Sequence, residues 1–239
     1  MIKKFKQFDS EVEKICRRYR IRNWNLNSDT NLVDVDGNVN LTNKGLNKIP
    51  LRFGKITGDF LINGNKGITS LEGSPNYVGG SFDCSCCRIS TLVGSPRMVG
   101  SDFKIHQNNL TNFIGCPDDI GFNSDLKGIY CMNNQINTFK GIPENLLDGI
   151  EFNCHGGNPI WEIVEIFGYW VTMAIPHGTQ PIKQTVFEVE NYDFIDLIND
   201  LNVIQNDGRS IVLDRLEEVF HILGRDLPKD LTFKNYTLL

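Results

Sequence analysis

Two matching stretches decide the fold of this chain: FDCSCCRI at residues 82–89 and FKIHQNNL at residues 103–110. Each begins with two apolar residues separated by one position, such as Phe103 and Ile105. Asn, or another residue in its place, follows three positions later, and an aliphatic residue comes two positions after that. Because successive strand residues point to opposite faces, the two apolar side chains lie on one side of a short strand. Both stretches therefore predict a strand with one buried face.

The phrase occurs six times between residues 39 and 160, and its copies start 21, 22, 21, 26 and 23 residues apart. The predicted inward pairs are Val39/Leu41, Phe60/Ile62, Phe82/Cys84, Phe103/Ile105, Ile129/Cys131 and Phe152/Cys154. The slot that follows each pair holds Lys44, Asn65, Cys87, Asn108, Asn134 and Asn158. We expect the asparagines to turn inward and hydrogen-bond the backbone as a ladder. A repeat of about 20–29 residues indicates a solenoid.

The core L-x-L-x-x-N/C-x-L resembles the leucine-rich repeat. The turns between copies are more narrowly similar to those of the Gly- and Asn-rich repeat proteins of tailed bacteriophages. These turns are Gly73-Ser74-Pro75, Gly94-Ser95-Pro96, Gly115-Cys116-Pro117 and Gly141-Ile142-Pro143. The resemblance implies a right-handed solenoid in which each copy supplies one short parallel strand.

We predict an α/β fold in three parts. Residues 1–32 form an N-terminal capping helix and connector, residues 33–160 a leucine-rich-repeat solenoid of about six copies, and residues 161–239 a helical C-terminal cap or subdomain. The spacing of Val12, Ile15, Cys16 and Tyr19 predicts the first helix over residues 9–19, with Asp9 or Ser10 at its N-cap. In the C-terminal part, helical spacing covers residues 160–170, 192–204 and 211–223. The first of these stretches is expected to cover the final coil of the solenoid.

Composition limits the partners. The net charge of −5 and pI of about 5.4 do not favour a phosphate-rich partner, so nucleic acid is unlikely. The basic run Arg17, Arg18, Arg20 and Arg22 reads as a solvated helix face, with nucleic-acid contact as the alternative. No signal peptide or stretch of 18 or more apolar residues is recognisable. We therefore expect no membrane partner, and a location in the host cytoplasm or the virion.

Most of the seven cysteines fit the repeat. Cys84, Cys131 and Cys154 take inward positions and Cys87 takes the Asn slot, where reduced buried thiols are suitable. The alternative is a metal site of Cys84, Cys86 and Cys87 with His106, Cys131 or His155. The spacing C-x-C-C lacks the C-x-x-C of a structural zinc site, so no metal or other cofactor is predicted.

The residues between the inward pairs point outward and form columns along the sheet, because adjacent strands lie about 4.8 Å apart. Toward the C-terminal copies these columns gather side chains typical of interfaces. The predicted partner-binding residues are Lys104, His106, Tyr130, Met132, Asn153 and His155. The alternative is an ordinary sheet surface with high strand propensity.

No catalytic motif is recognisable: the sequence contains no P-loop, dinucleotide fingerprint or H-E-x-x-H. Residues 160–239 contain no cysteine, unlike the helical domain of the bacterial leucine-rich-repeat ubiquitin ligases that share this layout. The sequence therefore predicts no enzyme. It predicts a noncatalytic interaction module that binds through the concave sheet face or the helical tail. The resemblance to tailed-phage repeat proteins implies that a phage encodes it and that its partner is a host or viral protein. The alternatives are a virion structural or packaged cargo protein and, less favoured, a nucleic-acid binder or enzyme hidden in the tail.

Overall fold

The fold is a parallel-strand solenoid of about five turns, with a few helices. The computed structural model describes residues 2–124, 128–142, 151–167, 171–173, 184–186 and 193–239. We call each turn of the solenoid a coil.

Two six-stranded sheets form the solenoid walls. The first sheet holds β1 (Trp24–Leu26), β2 (Val33–Val35), β4 (Phe53–Ile56), β6 (Tyr77–Val78), β8 (Met98–Val99) and β10 (Asp119–Ile120). The second holds β3 (Val39–Asn40), β5 (Phe60–Leu61), β7 (Phe82–Asp83), β9 (Phe103–Lys104), β11 (Gly128–Tyr130) and β12 (Glu151–Asn153). All pairings within them are parallel except that of β1 with β2.

The second sheet consists of the six copies found in the sequence, whereas the first sheet was not predicted. The expectation of one strand per copy was therefore wrong. Each of the coils from β2 to β11 adds one strand to each sheet. First-sheet strands such as β6 and β8 have only two residues and one buried side chain each, Val78 or Val99. These segments have no second buried side chain two positions away, so they show none of the alternation that reveals second-sheet copies such as Phe82 with Cys84.

The inward pairs are confirmed. Phe60 pairs in register with Phe82 and Phe82 with Phe103, and every residue of the six pairs is at most 2% exposed. The ring of Phe82 stacks on Phe60 at 5.8 Å and on Phe103 at 5.6 Å between centroids. Identical positions of successive coils thus build one apolar column through the solenoid.

The asparagine ladder is also confirmed. Asn108 is buried, and its Nδ2 donates to the carbonyl of Ile105 in its own coil and of Cys84 in the preceding coil. Its Oδ1 accepts from the N–H of Ile89 in the preceding coil at 3.0 Å. Asn65, Asn134 and Asn158 repeat this arrangement. Each asparagine therefore hydrogen-bonds its own coil and the one before it.

The Gly-x-Pro turns are tight. At the third of these turns, the N–H of Cys116 bonds the carbonyl of Phe113 at 2.8 Å, and Gly115 has φ +93°. A Cβ on Gly115 would lie 2.5 Å from the backbone carbon of Leu92 in the preceding coil. Both the left-handed φ and this approach require glycine here.

The N-terminal helix α1 spans Ile2–Tyr19. It begins earlier than predicted, so Asp9 and Ser10 lie inside it and do not cap it. Val12 and Cys16 are buried in the same apolar cluster as the solenoid, and Ile15 and Tyr19 pack against that cluster. The predicted apolar stripe is therefore confirmed.

The C-terminal part contains strands as well as helices. In its described residues the helices are α2 (Trp161–Ile166), α3 (Asp193–Asp200) and α4 (Leu213–Ile222). Its strands are β13 (Val171–Met173), β14 (Gln184–Val186), β15 (Ser210–Ile211) and β16 (Thr237–Leu238). All three helices are shorter than predicted; Trp170 and Tyr192, at predicted helix ends, lie outside the described residues. In the described chain, no helix has the length and apolarity needed to cross a membrane.

The C-terminal part packs on the solenoid through aromatic rings. Phe167 stacks on Phe194 and Phe220 at 4.7 and 4.6 Å, and Phe139 of the solenoid meets Phe194 edge to face at 5.9 Å. The buried apolar residues from Val12 onward form one cluster. The predicted division at residues 32 and 160 stays a prediction.

Candidate functional site

The candidate site is the outer face of the second sheet at its C-terminal strands, β9, β11 and β12. We call it the sheet face and define it by the six predicted residues Lys104, His106, Tyr130, Met132, Asn153 and His155. Register pairs Lys104 with Tyr130 and Tyr130 with Asn153. Five of the six side chains are partly exposed, and Asn153 is buried. Because side chains alternate between the two faces of a strand, the residues between the inward pairs lie side by side on the outer face.

Lys104 and Tyr130 form the centre of the sheet face. The Lys104 ammonium lies 5.7 Å from the Tyr130 ring centroid, within range of a cation–π attraction. The same ammonium lies 2.9 Å from a carboxylate oxygen of Asp102, and both of these side chains are largely shielded from solvent. Asp102 therefore holds the cation in place beside the ring.

Gly128 creates the space for the Tyr130 ring. A Cβ on Gly128 would lie 2.7 Å from Cε2 of Tyr130, so the ring lies back over the glycine. Corresponding positions of other copies hold Asp59, Ser81 and Asp102. Sequence reasoning missed this role, although a glycine in an otherwise polar column was a usable signal.

His106 has an unusual environment. Its Nδ1 is buried and has no hydrogen-bond partner among the described residues. Burial lowers the pKa of this imidazole, and the charge of Lys104 lowers it further, whereas Asp83 acts in the opposite direction. The ring is consequently neutral at neutral pH, and one of its nitrogens lacks a partner.

Asn153 is the buried member of the sheet face. It is 2% exposed, and its Oδ1 lies 2.6 Å from Nδ1 of His155. The His155 ring meets Trp161 edge to face at 6.3 Å, and burial lowers the pKa of this imidazole. Strand β14 contacts β12, so a C-terminal strand lies next to the last strand of this sheet. Alternation alone predicted an outward Asn153, but its amide positions His155 and does not face solvent.

The cysteines take structural positions. Cys84 and Cys131 are fully buried, and Sγ of Cys87 lies 3.5 Å from the Ile62 carbonyl, one of the contacts an asparagine makes in this slot. Burial raises the pKa of Cys84 and Cys131 well above the ordinary value, so both thiols stay protonated. Across the described ranges, no group of three or more His, Cys, Asp or Glu side chains is placed to hold a metal ion.

Comparison with protein-family models, with curated proteins and with solved structures finds no match to this chain.

Proposed function

We propose that this protein is a noncatalytic interaction module that binds another protein through the sheet face. The observation that carries this proposal is the fixed pair of Lys104 and Tyr130 between Asp102 and Gly128. Tyrosine gives a large contact area with few rotatable bonds, and it is enriched where proteins bind each other. A ring and a cation that are already held in place lose little conformational entropy on binding.

The repeat pattern and its Gly-x-Pro turns support the narrower part of the proposal. They resemble leucine-rich repeats of tailed-phage proteins, which favours a right-handed, phage-encoded solenoid whose partner is a host or viral protein in the host cytoplasm. The terminal helices act as caps, since Val12 and Cys16 of α1 and Phe167 after α2 are buried. End coils of a solenoid need such covers.

The test is affinity capture from a lysate of the infected host cell with four versions of the chain. We expect wild type to retain one protein, and the double substitution Tyr130→Asp with Met132→Asp to lose it. Gly128→Ala should weaken capture without any change of charge, because its Cβ displaces the Tyr130 ring. Asn40→Asp, in the outward column of β3, is the control for an added negative charge.

Circular dichroism must show that all variants fold. Undiminished capture by the double variant contradicts the proposal for the sheet face. Mass spectrometry of purified particles tests the alternative: recovery of the chain in stoichiometric amounts would favour a virion component.

A further inference from the structure

The charge of this chain is unevenly distributed. Residues 1–24 contain eight Lys and Arg against three Asp and Glu, a net charge of +5, although the whole chain carries −5. The remaining residues therefore carry −10. The net charge of the whole chain conceals this basic segment. Such asymmetry indicates that the segment binds an anionic partner.

Part of this basic segment lines a recess. The recess has a volume of about 430 Å³, and its walls are Arg18, Tyr19, Arg20 and Lys44. The Arg18 guanidinium carbon lies 5.5 Å from the centroid of the Tyr19 ring. Three cations and one aromatic ring thus converge where α1 ends beside the first coil, and the described residues that line the recess include no carboxylate.

Both glutamates of α1 pair with other cations of that helix. On α1, Glu11 pairs with Lys14 at 3.7 Å and Glu13 with Arg17 at 2.9 Å. Within the described part of the chain, no ion pair involves the three cations of the recess. Their mutual repulsion is therefore uncompensated by the protein and favours an anionic ligand.

Arg20 occupies a position that favours glycine. It follows the last residue of α1 and has φ +59°, while the N–H of Ile21 bonds the carbonyl of Cys16 at 2.8 Å and that of Arg20 bonds Arg17 at 3.3 Å. These two bonds define a Schellman ending, in which the left-handed residue is usually Gly. An arginine here costs about 1 kcal/mol of strain, and strain of this kind is found at functional sites.

Lys44 stands in the first slot of the asparagine ladder. In later coils the slot residue reaches back to the preceding coil, as Asn65 does to the Leu41 carbonyl. The copy that contains Lys44 is the first in its sheet, since β3 is the terminal strand. The slot therefore has no preceding coil of this sheet to which an asparagine could hydrogen-bond. Lys44 is exposed there, beside Arg18 and Arg20.

We propose that this recess binds the phosphate backbone of single-stranded nucleic acid, with a base against Tyr19. Arginine and lysine neutralise phosphates, and an aromatic ring stacks on bases of any sequence. An anionic membrane is a poorer fit, because among the described residues none of the large exposed apolar side chains lies in the recess. An acidic peptide is a poorer fit because it offers no base to stack on the Tyr19 ring.

The test is fluorescence anisotropy of the full chain with a labelled oligothymidylate of about 15 nucleotides. Three phosphate contacts predict a slope of log K against log salt near −2, at about 0.7 per contact on single strands. Each of Arg18→Gln, Arg20→Gly and Lys44→Gln should make the slope shallower by about 0.7, and the triple variant should lose measurable binding. Lys229→Gln, an exposed site near the other end of the chain, is the control and should match wild type.

Arg20→Gly also separates binding from folding. It removes the strained residue, so its melting temperature should equal or exceed that of wild type while its binding weakens. Absence of oligonucleotide binding at low salt would overturn the proposal, as would an equal loss in Lys229→Gln. Equal affinity at the same salt for polyglutamate or for phosphatidylserine vesicles would likewise overturn it.

Discussion

The asparagine ladder gives the sharpest test of the fold, through Asn108→Ala. Asn108 makes three buried hydrogen bonds: from Nδ2 to the carbonyls of Cys84 at 3.0 Å and Ile105 at 3.1 Å, and to Oδ1 from the N–H of Ile89 at 3.0 Å. Alanine removes all three bonds and leaves their backbone partners short of a hydrogen bond inside the solenoid. The alanine side chain has no group that donates or accepts a hydrogen bond in place of the amide.

The cost follows from the number of bonds. Each contributes about 1 kcal/mol net, and a dry unsatisfied group costs more, so the free energy of unfolding should fall by about 3–5 kcal/mol. For a chain of this size the melting temperature should fall by on the order of 10 °C. That is a large share of the roughly 5–15 kcal/mol that stabilises a typical domain.

Urea unfolding followed by circular dichroism measures the change. Asn109→Ala is the matched control, because Asn109 is exposed and its backbone N–H keeps its bond to Ile89. The control should stay within about 0.5 kcal/mol of wild type. If Asn108→Ala were equally mild, the ladder would not stabilise the solenoid and our reasoning on the slot would be refuted.

Three further predictions concern neighbouring positions. Cys87→Asn should raise stability by about 1 kcal/mol in urea unfolding, since Cys87 supplies only a weak contact to Ile62 where asparagines bond both coils. Cys131→Asp should unfold the solenoid, because it places an unpaired carboxylate at a fully buried position. A soluble variant that melts cooperatively would show that our assignment of inward and outward residues is shifted by one position. His106 should make stability pH-dependent: its folded pKa is lowered by burial from 6.5, so the unfolded state takes up the proton first and stability falls as pH decreases below about 6.5. Melting temperatures of wild type and His106→Gln between pH 7 and 5 measure this effect, and parallel curves would contradict it.

The sequence by itself determined the repeating core. A period-two pattern places Phe82 and Cys84 on one side of a strand, and a recurrence of about 20–29 residues brings each copy beside the next. The same frame identified the asparagine ladder, because a buried amide at a fixed slot must find backbone partners. These features depend on spacing along the chain, which the sequence contains.

Only the tertiary structure decided which side chains share a surface and which are covered. Asn153 alternates outward but is buried with its amide against His155, and the Tyr130 ring uses the space above Gly128. The recess at Arg20 and Lys44 joins residues that are distant in the chain and meet where α1 ends. Such contacts depend on how separate segments pack in three dimensions, and neither periodicity nor composition carries that information.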